Sequence, residues 1–399
     1  MTTIFWLSVA IVAYVYVGYP ALLRVWARLR PKPYVASGGP VRGVSIVIAA
    51  RDEGARLAAR IDNLLGLHYP ASHRQIIVVC DGCTDETEEV LARYADVVEA
   101  VSVPPSGKAL SLNAGVARAR FEIVVFADAR QVFAPDALRE LVAPFQDPAV
   151  GAVTGELLLD CESALFSNRR AMADRRRGHS NQLRAVALER RVYADRRRTL
   201  LSTIADGVGY YWRYEKQLRR LESCVGSTLG ATGAIYAMRR ALWRPLPADT
   251  LLDDVLAPMR VVMAGFRVVF NERARAFDRA TPDADAESRR KVRTLAGNYQ
   301  ILWLEPRLLL PWRNTVWLQY VSHKLGRLVV PYAMLAIFFA SITLSSDTVY
   351  RAVLLVQVAF YLLAGYGAVL EWTSRGSALV RHSAATRGDS THGAAQEVA

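Results

Sequence analysis

Several side chains in this sequence stand where chemistry could be done, and at three places they follow apolar runs. The run Glu122-Ile-Val-Val-Phe-Ala-Asp-Ala-Arg130 ends in a carboxylate, Asp128. The run Gln75–Cys80 ends at Asp81, and Val44–Ala49 runs into Ala50-Arg51-Asp52-Glu53. An acid placed where a buried strand leaves its sheet can hold a metal ion or a polar ligand, or it can cap the helix that follows. Lys108 sits in the glycine-containing stretch Pro104–Gly115, at a helix start where a basic residue can meet a phosphate. Asp253 and Asp254 form an adjacent pair ahead of a segment with helical spacing, Val255–Gly265, and read either as a cap or as reactive carboxylates.

The elements that must position these groups alternate. Strands are expected over 44–49, 75–80, 97–103 and 123–127, each rich in Val, Ile or Phe. Helices are expected over 53–67, 84–94, 108–120 and 135–145, the last opened by Pro135. Strands alternating with helices of this length predict an α/β fold with a mostly parallel sheet covered on both faces. Parallel strands bring their carboxyl ends to one edge, so Glu53, Asp81 and Asp128 should face a shared crevice. No G-x-G-x-x-G follows the first strand and no G-x-x-x-x-G-K-[ST] occurs, which counts against a dinucleotide enzyme and a P-loop NTPase.

The chain has 399 residues, of which 52% are apolar, and the apolar excess is at its ends. Met1–Leu23, Leu328–Ser346 and Ala352–Leu370 carry no charge, and each is about long enough to cross a hydrocarbon core of roughly 30 Å. The first lacks the basic start and small-residue site of a cleaved leader, so it reads as an anchor. Arg24, Arg28, Arg30 and Lys32 follow it at once, and Arg375 and Arg381 follow the last span. The positive-inside rule then puts the N-terminus outside and the body in the cytoplasm, in a multi-pass inner or plasma membrane protein. A cytoplasmic body predicts free thiols for the four cysteines, and Cys80-Asp81-Gly82-Cys83 has no second pair with which to build a zinc site. The net charge of +13 fits a face beside an anionic leaflet, and no aromatic-interleaved basic motif points to nucleic acid.

Taken together, Ser45–Glu53, Val79–Thr87, Gly107–Gly115 and Val125–Asp128 resemble the family 2 inverting glycosyltransferases of GT-A fold. The likeness is nearest to membrane-bound bacterial members related to cellulose, hyaluronan and poly-N-acetylglucosamine synthases. It continues through Gly151–Glu156, Tyr211–Glu215, Gly230–Tyr236 and Leu252–Val255. The resemblance implies a nucleotide-sugar donor, UDP-linked, and a saccharide or lipid-linked acceptor. It implies that Ala50, Arg51, Glu53 and Asp81 hold the uridine, with Lys108 close to the nucleotide. Asp128 matches the first acid of the family's D-x-D, which binds the diphosphate through Mg²⁺ or Mn²⁺, but Arg130 replaces the second acid. A divalent ion held by one carboxylate, phosphate oxygens and water is compatible with that change, as is direct positive charge from Arg130. Asp254 occupies the position of the family's catalytic base. Ala231, Thr232 and Gly233 are small enough for backbone to lie against an acceptor sugar, beside Asp253.

Arg290-Lys-Val-Arg-Thr294 stands where processive synthases carry Q-x-x-R-W. Arg293 alone matches, as a contact for the diphosphate; the missing tryptophan argues against a long polymer. The stretch 160–206 is rich in arginine and is read as a solvated basic helix pair or as a docking surface for anionic lipid. Leu302–Tyr320, with Trp303, Trp312, Trp317 and two prolines, suits helices in the headgroup layer. The expected organisation is an anchor over 1–24, a linker over 25–43 and a GT-A domain over 44–298. Interfacial helices over 299–326, two spans over 327–371 and a disordered tail over 372–399 complete it. The expected function is a membrane-anchored inverting sugar transferase. A processive exporting synthase, including one built as a homo-oligomer, and a catalytically silent partner subunit of a synthase are the rivals.

Overall fold

A computed structural model describes residues 1–35, 40–160, 203–279, 284–367 and 369. Most of the arginine-rich stretch 160–206 and the tail over 372–399 lie outside the described residues. Along the chain the helices are α1 (Thr2–Ala13), α2 (Tyr19–Leu29), α3 (Gly54–Leu65), α4 (Thr87–Ala92), α5 (Lys108–Arg118) and α6 (Ala137–Val142). They continue as α7 (Thr203–Val225), α8 (Asp253–Met263), α9 (Ala284–Leu304), α10 (Gly326–Thr343) and α11 (Thr348–Gly367). The strands are β1 (Val44–Ala50), β2 (Arg74–Asp81), β3 (Glu99–Val103), β4 (Ile123–Ala127), β5 (Val132–Phe133), β6 (Val150–Asp160), β7 (Ile235–Arg239) and β8 (Arg267–Arg279).

All eight strands form one sheet in the order β3-β2-β1-β4-β7-β6-β8-β5. The first four are mutually parallel, with Val47 of β1 aligned to Ile77 of β2 and Phe126 of β4. β7 then enters antiparallel between β4 and β6, β8 runs parallel to β6, and β5 closes the edge antiparallel. Successive residues of a strand point to opposite faces, and the continuous apolar runs fill both layers. Ile46, Ile48, Val78 and Val125 pack with Leu57 and Ile61 of α3 and Leu138 of α6. Val47, Val79 and Phe126 pack on the other side with Leu112 and Val116 of α5 and Leu256 and Met259 of α8.

Several elements are shorter than their apolar pattern predicts, three of them for evident local reasons. α4 begins at Thr87 because the preceding polar groups are used in the loop: the Thr84 amide donates to Asp52 Oδ1 (2.8 Å), and Asp85 Oδ2 accepts from the Gly54 amide (2.9 Å). β3 begins at Glu99 because the Val97 and Val98 amides turn back to the Tyr94 carbonyl, both at 2.9 Å. α6 ends at Val142, and Pro144, which has no amide to continue an α-helical ladder, lies in the 3₁₀ turn Ala143–Gln146.

The chain divides into two compact units, Met1–Val17 with Gly326 onward, and Gly18–Leu325. In the first, Phe5, Ile337 and Ala340 form a small apolar cluster against which Val9, Tyr350 and Val353 pack. In the second, α2 lies on α7 through Tyr19, Leu23, Leu218 and Val225. Among the described residues, three helical stretches are long and apolar enough to cross a membrane: Thr2–Leu29, Trp317–Thr343 and Thr348–Gly367. The middle one starts at Trp317, eleven residues before the uncharged segment that begins at Leu328, so Lys324 and Arg327 fall inside the helix.

Candidate active site

Because β2, β1 and β4 are parallel neighbours, the residues that follow Ala50, Asp81 and Ala127 share one edge of the sheet. At the end of β1, Asp52 takes a left-handed backbone conformation (φ 53°) and its Oδ1 accepts from the Thr84 amide and hydroxyl. Ala50 is buried beneath this turn, Arg51 is exposed, and Glu53 pairs with Arg56 at 3.2 Å. At the end of β2, Asp81 is buried and its carboxylate accepts from the amides of Ser106 (2.7 Å) and Gly107 (3.0 Å). Hydrogen bonds to a charged acceptor contribute about 1.5–3 kcal/mol each, so Asp81 fixes the loop that launches α5. Gly107 has φ 88°, a conformation that side chains disfavour, and it delivers the chain to Lys108 at the first turn of the helix.

Lys108 joins two segments remote in sequence. Its Nζ lies 2.9 Å from Asp128 Oδ1, after β4, and 3.8 Å from Asp253 Oδ2, at the start of α8. Burial alone would lower the affinity of Lys108 for its proton, but the charges of Asp253 and Asp128 more than offset this and hold it above the ordinary lysine value. Asp254, the next residue of α8, is pushed up to about 6 by burial and by Asp253, against the opposing pull of Lys108 and Lys324. Its Oδ2 accepts from the Gly233 amide at 3.1 Å, and its backbone carbonyl accepts from the Ala231 amide at 2.7 Å. A Cβ on residue 233 would stand 2.9 Å from that carboxylate oxygen, so a larger residue there would displace the acid or the loop. Thr232 is tied from both sides, its amide donating to Thr154 Oγ1 (2.8 Å) and its hydroxyl accepting from Arg219 (2.7 Å).

Asp128, Asp253, Asp254 and Lys108 are therefore brought together, with Ala231, Thr232 and Gly233 against them and Asp81 supporting the lysine loop. The two arginines are differently placed. Arg130 pairs with buried Asp278 at 2.9 Å, and Arg293 donates to the Leu251 carbonyl at 3.0 Å, beside the entry to α8. Two further groups are visible only in the folded chain. Tyr236, at the start of β7, is buried with its hydroxyl unpartnered, and burial together with Asp253, Asp254 and Asp128 raises its pKa well above the usual value. The second is a buried cluster behind the site. Glu222 of α7 accepts from the Tyr19 hydroxyl (2.9 Å) and lies 2.6 Å from His323 Nδ1, whose other ring nitrogen is 3.6 Å from Glu215. Glu215, Arg219 and Glu222 recur at helical spacing, a signal that the surrounding basic residues obscured.

Among the described residues no three acidic, histidine or cysteine side chains are gathered as metal ligands. The donor set nonetheless fits a hard cation. Asp253 Oδ2 and Tyr236 Oη are buried oxygens without a hydrogen bond, next to the Asp128 carboxylate, and a Mg²⁺ or Mn²⁺ ion that keeps waters and takes phosphate oxygens needs few protein ligands.

A half-parallel, half-mixed sheet with acids gathered at its carboxyl edge defines the GT-A class of α/β proteins. The mannosyltransferase PcManGT from Pyrobaculum calidifontis, solved with GDP-Man and Mn²⁺, shares the fold with a TM-score of 0.59 over 89% of this chain and 96% of that one, at 19% identity. The chain belongs to the family described as glycosyltransferase like family 2, whose model matches residues 40–297. It is 32% identical over 130 residues to a poly-beta-1,6-N-acetyl-D-glucosamine synthase of Staphylococcus epidermidis, covering 32% of this chain and 31% of that protein. It is 34% identical over 143 residues to a beta-monoglucosyldiacylglycerol synthase of Nostoc, covering 34% and 30%. The matched segment thus spans about a third of the length of these curated relatives.

Proposed function

We propose that this chain transfers a sugar, with inversion, from a UDP-sugar to a saccharide or lipid-linked acceptor at a membrane surface. The observation that carries the reading is the Lys108 contact with both Asp128 and Asp253, one residue from Asp254. Inversion requires an acceptor oxygen to attack the anomeric carbon from the side opposite the diphosphate. Asp254 takes the hydroxyl proton as that bond forms; with its proton affinity centred at about 6, it is ionised at neutral pH and still basic enough to accept. The bond from the anomeric carbon to the departing oxygen breaks, and its electrons stay on the diphosphate. Lys108, cationic throughout, faces that growing charge. A divalent ion, held by Asp128 with Asp253 beside it, would add positive charge at the same place when bound.

Ala50, Arg51, Glu53 and Asp81 flank the position for the uridine, and Arg293 stands near enough to the α8 entry to reach the diphosphate. Arg130, engaged by Asp278, orders the loop after β4 in this reading. Ala231–Gly233 offer backbone to the acceptor sugar. Relatives that build a polysaccharide and a glycolipid both support an acceptor handled at the bilayer, as do the three candidate membrane helices among the described residues, with exposed Trp303 at the end of α9 and exposed Trp312 in the stretch that follows it. We place the catalytic unit on the cytoplasmic side, from the arginines after the first span. The test is UDP release by detergent-purified protein against a panel of nucleotide sugars, with and without manganese. One donor should be turned over by the wild type and not by Asp254→Asn; no turnover of any donor under any ionic condition would sink the proposal.

A further inference from the structure

Away from the active site, a cavity of about 820 Å³ opens between the segment after α2, α6 and the middle of β8. No residue of the Lys108–Asp254 cluster lines it. Its wall is apolar, from Tyr69, Val142 and Phe270, and its charged lining has more cations, Lys32, Arg139, Arg220 and Arg273, than acids, Glu140 and Glu272. Arg220 is already occupied by Glu272, whereas Lys32, Arg139 and Arg273 make no ion pair among the described residues. The rim is fixed at the backbone: the Lys32 amide donates to the Cys224 carbonyl (2.7 Å), and Arg267 donates to the Lys32 carbonyl (2.6 Å).

The position of Lys32 says what could meet these charges. α2 is the closing part of the first candidate membrane helix and ends at Leu29, three residues before Lys32, so the rim follows closely on the basic end of that helix, Arg24, Arg28 and Arg30. Cations at a bilayer surface attract anionic headgroups, and an apolar wall beside them suits the glycerol and the first acyl carbons. We propose that this cavity holds the headgroup of an anionic phospholipid, its phosphate between Lys32, Arg139 and Arg273. A zwitterionic headgroup would bring its own ammonium against the same three charges and is discriminated against for that reason.

The test is native mass spectrometry of the full-length protein in detergent, with phosphatidylglycerol, phosphatidylcholine or inorganic phosphate added, a readout independent of sugar transfer. Phosphatidylglycerol should be retained in clear preference to phosphatidylcholine. Arg139→Gln with Arg273→Gln should cut that retention on the order of thirtyfold, from two interfacial cations lost. Cys224→Trp, which fills the cavity and leaves its charges, should cut it too, with an unchanged thermal midpoint confirming that both variants are folded. Equal retention of the two lipids, or retention unaltered in both variants, would overturn the proposal. Displacement of phosphatidylglycerol by millimolar inorganic phosphate would overturn it in favour of a soluble phosphate ligand.

Discussion

Lys108 Nζ stands 2.9 Å from Asp128 Oδ1, across 20 residues of sequence, and the pair is one-third exposed on each side. The contact sets the charge of the site. Asp128 and Asp253 both face the same ammonium, so Lys108 keeps two carboxylates from opposing each other directly.

Lys108→Met should therefore lower kcat/KM for the donor by about a hundredfold, the scale of one lost charge contact to a departing anion. Lys108→Arg should recover part of it. Steady-state UDP release decides the matter, and an unchanged kcat/KM in the methionine variant would remove Lys108 from the diphosphate.

Asp254→Asn should reduce kcat by roughly a thousandfold or more while leaving donor affinity within about threefold, because the amide cannot take a proton. In the wild type, kcat should fall as pH drops through about 6, where the base becomes protonated. The sign for stability is opposite to that of a salt-bridged acid. A raised carboxyl pKa means that the folded state binds more protons than the unfolded one between the ordinary value and about 6. Stability is therefore lost as pH rises through that window, and Asp254→Asn should melt a few degrees higher than wild type at pH 7.5.

Gly233→Ala probes the acceptor loop. The added methyl would sit 2.9 Å from Asp254 Oδ2 and displace either the acid or the loop. A drop in kcat of about ten- to a hundredfold is expected from a misplaced base, with donor binding by calorimetry unchanged. Wild-type turnover in this variant would show that the loop has room to spare.

Glu222→Ala should destabilise the catalytic unit by about 1–3 kcal/mol, since it removes from a buried place the carboxylate that accepts from Tyr19 and lies against His323. Glu222→Gln should lose less, because an amide oxygen still accepts from the tyrosine. Thermal unfolding in detergent measures both, and equal stability of all three proteins would contradict this account.

The sequence by itself determined the four parallel strands, because a run of Val, Ile and Phe that is buried on both faces needs no knowledge of its partners to be recognised. It also placed Asp81 and Asp128 at strand exits, and the Asp128–Arg130, Gly230–Gly233 and Asp253-Asp254 segments were legible through their order and spacing. Periodicity did not reveal where β7, β6 and β8 would insert, since antiparallel and parallel pairing use the same residue types and are chosen by the path of the chain. Tertiary structure alone decided which charges meet. Lys108 could have been any solvated lysine until folding set it between acids from β4 and α8; Arg130, which looked available to a phosphate, is taken by Asp278, 148 residues away. The Tyr19–Glu222–His323 cluster was likewise hidden, because electrostatic attraction depends on distance in space and on burial, and neither is written in the neighbours of a residue along the chain.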